Sequence, residues 1–108
     1  MSGGRWVPAI AAADLGEGEI AGVVVEGHEI AIYHLPGGAF FATANVCTHG
    51  QAYLSEGWIV DDCQIECPLH AGCFDIRSGK AIGPPVDEDL AVYAVRIEGG
   101  AVEVEIPA

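Results

Sequence analysis

A chain of 108 residues has room for one domain and one modest core. With 51% hydrophobic and 19% charged residues it has the composition of a packed globular fold, which excludes a disordered chain. Sixteen acidic residues stand against Arg5, Arg77, Lys80 and Arg96, for a formal net charge of -12. That excess excludes nucleic acid and anionic lipid as natural partners, and it favours either a basic docking face on another protein or solubility alone.

The opening Met1-Ser2-Gly3-Gly4-Arg5 leads into no long apolar run, so neither a secretory signal nor a membrane span is expected, and a cytoplasmic protein is the reading. Trp6 to Ile10 reads as a first strand, and Ala11 to Gly18 as a turn or short helical loop leaving it. Ile20 to Glu26 and Glu29 to His34 are β-branched runs separated by Gly27-His28, a two-residue break suited to a hairpin. Pro36-Gly37-Gly38 punctuates the chain before Ala39 to Thr43, which makes this region an antiparallel meander. From Asn45 to Gly57 the alternation disappears. Trp58-Ile59-Val60 and Gln64-Ile65-Glu66 are expected to pair across Asp61-Asp62, and Cys73 to Ile76 to add another short strand before a turn at Arg77 to Lys80.

Gly83-Pro84-Pro85-Val86 cannot extend a central strand, because two prolines remove ladder donors, and it reads as a loop. Ala91 to Ile97 and Ala101 to Ile106 alternate around Glu98-Gly99-Gly100, a hairpin signal. No segment of helical period has useful length. The fold class is therefore all-β: an antiparallel sandwich or barrel interrupted by loops rich in cysteine and histidine.

Those loops carry the chemistry. Cys47-Thr48-His49 and, after seventeen intervening residues, Cys67-Pro68-Leu69-His70 supply two thiols and two imidazoles. Cys63 and Cys73 fall outside this spacing and read as thiols that serve as small packing residues. Zinc is the competing occupant, but zinc fingers pair two cysteines and then two histidines, whereas each loop here contributes one of each. His28 and His34, placed in a turn and a strand, are not ligand candidates. Trp6, Trp58, Phe40, Phe41 and Phe74 are expected to be buried. Asp87-Glu88-Asp89 reads as a solvated turn or as a docking patch.

The stretches at 47–57 and 65–75 closely resemble the Rieske [2Fe-2S] ferredoxins of bacterial aromatic-ring dioxygenase systems, and the resemblance spans nearly the whole chain. It implies a single Rieske domain over 1–108, with cluster-binding loops at 46–73 inserted in a β base formed by 1–45 and 74–108. It also implies one [2Fe-2S] cluster, with Cys47 and Cys67 on one iron and His49 and His70 on the other. Gly50 and Gly72 would let backbone N–H groups approach sulfide, and Gly83-Pro84-Pro85 would be the proline loop that covers the cluster.

In the respiratory version of this site each loop has a further cysteine, and the two are bridged. The matching positions here are Ala52 and Leu69. Hydroxyl donors to the cluster sulfurs are replaced by Gly72 and Phe74. Missing donors disfavour the reduced cluster, which predicts the low end of the Rieske range of about -150 to +300 mV.

With every ligand position filled by protein, the resemblance implies an electron carrier and not an enzyme. It would be a monomer in transient contact with an NAD(P)H-dependent flavin reductase and a terminal Rieske oxygenase. His49 and His70 would be at the exposed tip. Two rivals stand beside this reading: the Rieske-type small subunit of another oxidoreductase, such as a nitrite reductase, and a zinc-stabilised β interaction module. A detached domain of an oxygenase large subunit fits less well with a chain that starts at Met1 and finishes just past its last strand.

Overall fold

The computed structural model describes residues 4–48, 52–69, 72–83, 86 and 88–107. His49, Gly50, His70, Pro84, Pro85 and Asp87, all singled out above, lie outside the described residues.

The described chain forms three antiparallel sheets. Strand β1 (Arg5–Ala11) pairs with β10 (Ala101–Ile106), which pairs with β9 (Val95–Glu98), giving the order β1-β10-β9. Pro8 is tolerated in β1 because this is an edge strand, and the register shifts between Pro8 and Ile10. The second sheet runs β2 (Ile20–Val25), β3 (His28–His34), β4 (Phe40–Ala44) and β8 (Val92–Tyr93). The third is a small sheet of β5 (Trp58–Val60), β6 (Gln64–Glu66) and β7 (Cys73–Asp75). Single turns of 3-10 helix occupy Ala12–Asp14 and Leu54–Glu56.

Strand β3 explains how the layers stack. Ile30, Ala31, Ile32 and Tyr33 are all fully buried, so this central strand packs on both faces. Ile30 and Ile32 join Val25, Ala42, Val102, Val104 and Ile106 in a core between the first two sheets. Ala31 and Tyr33 point the other way, into a second core with Leu54, Ile65, Phe74, Ile76 and both Cys47 and Cys67. The metal-ligand candidates therefore arise where the small sheet and the loops around it pack against the back of the four-stranded sheet.

The expected meander and its hairpins are present, with two differences. The β2–β3 turn is Glu26-Gly27, both at positive φ (51° and 85°), so His28 opens β3 and does not belong to the turn. A primed turn needs positive φ at both central residues, and this register provides it. The continuous strand read over Ala91 to Ile97 is broken at Ala94: Val92 pairs with Thr43 in one sheet, while Val95 pairs with Val104 in the other. The chain changes layers there, as strands do at the corners of packed sheets.

The burial expected of the aromatics also fails in part. Trp58 is 49% exposed on the edge strand β5. Trp6 is half-buried, with the Arg96 guanidinium 4.6 Å from its ring centroid. Phe74 is fully buried, whereas Phe40 and Phe41 are half-buried, Phe40 stacking on His34 at 3.9 Å.

Candidate metal centre

The first ligand loop leaves the end of β4 and returns beside itself. Val46 bridges Tyr53, the Cys47 N–H donates to the Ala52 carbonyl at 2.9 Å, and the Leu54 N–H donates to the Asn45 carbonyl at 2.7 Å. The second loop joins β6 to β7. There Glu66 pairs with Cys73, and the Cys67 N–H donates to the Gly72 carbonyl at 2.8 Å. Both loops share one device: the cysteine at the mouth gives its N–H to the carbonyl five residues later. Each closure leaves the cysteine at the base of its loop. Cys47 and Cys67 are accordingly 3% and 1% exposed, and both belong to the same core cluster.

Close backbone approaches fix the loops against each other. A Cβ on Gly57, at the exit of the first loop, would lie 2.1 Å from the Glu66 carbonyl oxygen and 3.2 Å from Pro68 Cδ. A Cβ on Gly72, at the exit of the second, would lie 2.5 Å from Val86 Cγ1. Val86 is buried and follows the two prolines, so the third loop rests on the second at a residue that must be glycine. The Thr48 hydroxyl, one residue after Cys47, donates to the Glu88 carbonyl at 2.8 Å and ties the first loop to the third. The neck of the third loop is held where the Ala81 N–H donates to Asp89 Oδ1 at 2.8 Å and the Ile82 N–H donates to the Cys73 carbonyl at 2.8 Å. Glu88 and Asp89, read as a solvated turn or docking patch, are exposed and also take part in this bracing.

The donor set fits a cluster with two thiolates on one iron. Two buried cysteines come from separate loops braced into one core, and soft thiolates are the ligands that iron–sulfur centres take. Cys63 and Cys73 are free thiols, Cys63 packed against the same core and Cys73 paired with Glu66 in the small sheet. Each is half-buried, more open than expected. Burial pushes the Cys73 thiol up, helped by the carboxylates of Glu66 and Asp61. Arg77 Nη2 reaches Cys63 Sγ at 3.5 Å. His34 hands its ring Nδ1 to the Leu15 carbonyl at 2.8 Å, and His28 lies 3.4 Å from the Tyr93 hydroxyl, both within the base as expected of non-ligands. Among the described residues, which leave out His49 and His70, no group of three or more metal-binding side chains gathers.

Sequence reasoning missed Gly57 and Asn45. Gly57 carried no turn signal, and its requirement comes from a backbone nine positions along the chain. Asn45, 5% exposed, looked like an ordinary loop residue at the point where alternation stopped.

Comparison with known proteins agrees with this geometry. The Rieske [2Fe-2S] domain family matches residues 5–94. The ferredoxin component of the naphthalene 1,2-dioxygenase system of Pseudomonas putida is 43% identical over 102 residues, covering 94% of this chain and 96% of that protein. The Sphingomonas yanoikuyae B1 ferredoxin superposes with a TM-score of 0.87 at 36% identity, over 95% of this chain and 100% of that one. A chain of the complex of reduced oxygenase and oxidized ferredoxin in carbazole 1,9a-dioxygenase superposes with a TM-score of 0.81 at 37% identity, over 91% of this chain and 99% of that one. The chain thus belongs to the Rieske [2Fe-2S] domain family, among its small ferredoxins.

Proposed function

We propose that this protein is the one-electron carrier of an aromatic-ring dioxygenase system, receiving electrons from an NAD(P)H-dependent flavin reductase and delivering them to a terminal Rieske oxygenase. The observation that carries the reading is the pair of buried cysteines, each at the mouth of a loop closed by the same N–H to carbonyl bond five residues on. The 43% identity to a dioxygenase ferredoxin component over 94% of the chain supports the assignment to this class of carrier.

Cys47 and Cys67 would hold one iron, and His49 and His70 the other. When bound, the cluster supplies a one-electron redox centre with no substrate position. The chain does the rest. The loop closures fix the thiols in the core, buried Val86 packs on the second loop at Gly72, and the acidic surface steers a basic partner. We further read residues 46–73 as the cluster-binding unit and 1–45 with 74–108 as its base, in one domain, and the protein as a cytoplasmic monomer. No helix of the described residues is long and apolar enough to cross a membrane.

The test is the visible and EPR spectrum of the purified protein before and after dithionite, with a reductive titration. A brown protein that titrates at about -150 mV supports the shuttle. A potential hundreds of millivolts higher, or colourless protein containing zinc and no iron, overturns it. Turnover reconstituted with a reductase and oxygenase should slow as salt rises.

A further inference from the structure

The first ligand loop is anchored by a bracket that the ligand set does not account for. Asn45 is one of two buried polar residues among those described, and it uses every hydrogen-bonding group it has. Its backbone N–H donates to the Glu29 carbonyl at 2.9 Å, and its carbonyl accepts from the Leu54 N–H at 2.7 Å. Its side-chain Oδ1 accepts from the Ser55 N–H at 2.8 Å, and Nδ2 donates to the Ser55 hydroxyl at 3.1 Å. Residues 45 and 55 are the two ends of the loop that carries Cys47, so one side chain spans its base. The pair sits on Gly22 of β2, where a Cβ would come within 2.6 Å of Ser55 Oγ and 2.9 Å of Asn45 Nδ2. Only glycine leaves room for this seat.

The geometry points to Asn45, acting through Ser55, as a positioning residue that clamps the two ends of the first ligand loop on the Gly22 seat and so sets how firmly the cluster is retained. The inference rests on the reading of Cys47 as a cluster ligand. Asn45 acts before any ligand contact is made: with the stem open, the Cys47 N–H bond to Ala52 closes a loop whose ends can drift. Asn45 is buried and Ser55 half-buried, so losing the pair of bonds costs about the ordinary worth of intramolecular hydrogen bonds together with the hold they give on the loop ends.

The experiment is the rate at which excess chelator bleaches the visible spectrum of the brown holoprotein, read beside the EPR linewidths of the dithionite-reduced form. Asn45→Ala should bleach about tenfold faster than the parent, the order expected when one buried side chain loses its hydrogen bonds, with broadened EPR lines. Ser55→Ala keeps the Oδ1 bond and should fall between the two; it carries the test if Asn45→Ala does not fold. The double variant, where it folds, should bleach no faster than Asn45→Ala, since both act through one bracket.

His34→Phe is the comparison: it removes a part-buried side-chain bond to the Leu15 carbonyl at 2.8 Å, on the face of β3 turned away from the cysteines, and should leave bleaching within about twofold. Parent-like bleaching in Asn45→Ala and Ser55→Ala, or equal acceleration by His34→Phe, overturns the inference while leaving the cluster assignment standing. A parent that purifies without the cluster overturns the assignment, and this inference with it.

Discussion

Replacing Gly57 by alanine tests the bracing of the two ligand loops with the smallest possible change. The new Cβ would lie 2.1 Å from the Glu66 carbonyl oxygen, where ordinary contact begins at 3.4 Å, so the chains must part by more than an ångström. The φ of Gly57 is -87°, open to any residue, and the cost is therefore contact and not torsion. Neither side can yield by turning a side chain. Glu66 is held in β6 between Trp58 and Cys73, and the next residue along is Cys67. Overpacking of this kind costs about 1–3 kcal/mol, and the displacement falls next to Cys67, a proposed ligand.

The measurement is iron and sulfide per chain together with urea unfolding of the holoprotein. Gly27→Ala serves as control: its φ of +85° makes alanine strained, but its Cβ would meet nothing within 4 Å. We expect Gly27→Ala to lose about 1 kcal/mol with full cluster content, and Gly57→Ala to lose at least as much stability and most of its iron. A Gly57→Ala protein with full iron and the parent's midpoint would refute the reasoning.

Thr48→Val removes the hydroxyl that reaches the Glu88 carbonyl and should cost about 0.5–1.5 kcal/mol, with Thr48→Ser restoring it; backbone amide exchange around Leu90 is the readout, and equal exchange in both variants would count against the tie. Cys63→Ser and Cys73→Ser should each keep the parent's iron content, while Cys47→Ser or Cys67→Ser should lose it, as metal analysis of the purified variants will show. Burial holds the Tyr33 hydroxyl well above its ordinary pKa of 10.0, against a smaller opposing effect of its bond to Thr43. The folded chain thus keeps a proton that the unfolded chain releases, so this contribution is fully present below pH 10 and lost as pH rises beyond it. The unfolding free energy from urea titrations should decline there by up to about 1.4 kcal/mol per pH unit, and Tyr33→Phe should flatten the decline.

Much of this was legible in the residues, and what was not has a common cause. Strands β2, β3 and β10 announced themselves by β-branched runs and alternation, and their hairpins by glycine. The break at Ala94 left no such mark, because Ala91 to Ile97 alternates smoothly through the point where it passes from β4 to β10 as partner. Trp58 was read as core from its size, but it stands on an edge strand of three residues with one neighbour, and no local signal says which side of so short a strand is covered. The two cysteines and the spacing around them were visible because ligand chemistry demands particular side chains. The supports of those ligands use backbone carbonyls, a glycine and an asparagine amide, whose requirement exists only once distant segments meet.

Those supports close on themselves. Gly57 of the first loop abuts Glu66 and Pro68 of the second, Gly72 of the second abuts Val86 of the third, and Glu88 of the third receives the hydroxyl of Thr48 in the first. In each ligand loop the residue just after the cysteine makes the outward contact: Thr48 by a hydrogen bond, Pro68 by packing. A ring of three contacts constrains more than any one of them, since opening one interface leaves each loop still held by another. The positions that match a bridging cysteine pair in respiratory relatives are Ala52, buried beneath the first loop, and Leu69, 58% exposed on the second. No covalent tie joins the loops there, and the ring supplies the constraint instead. It follows that Thr48→Val and Gly72→Ala should be coupled although their side chains do not meet. In a double-mutant cycle on cluster retention, simple additivity would show that the three contacts act separately and that the ring is only a way of drawing them.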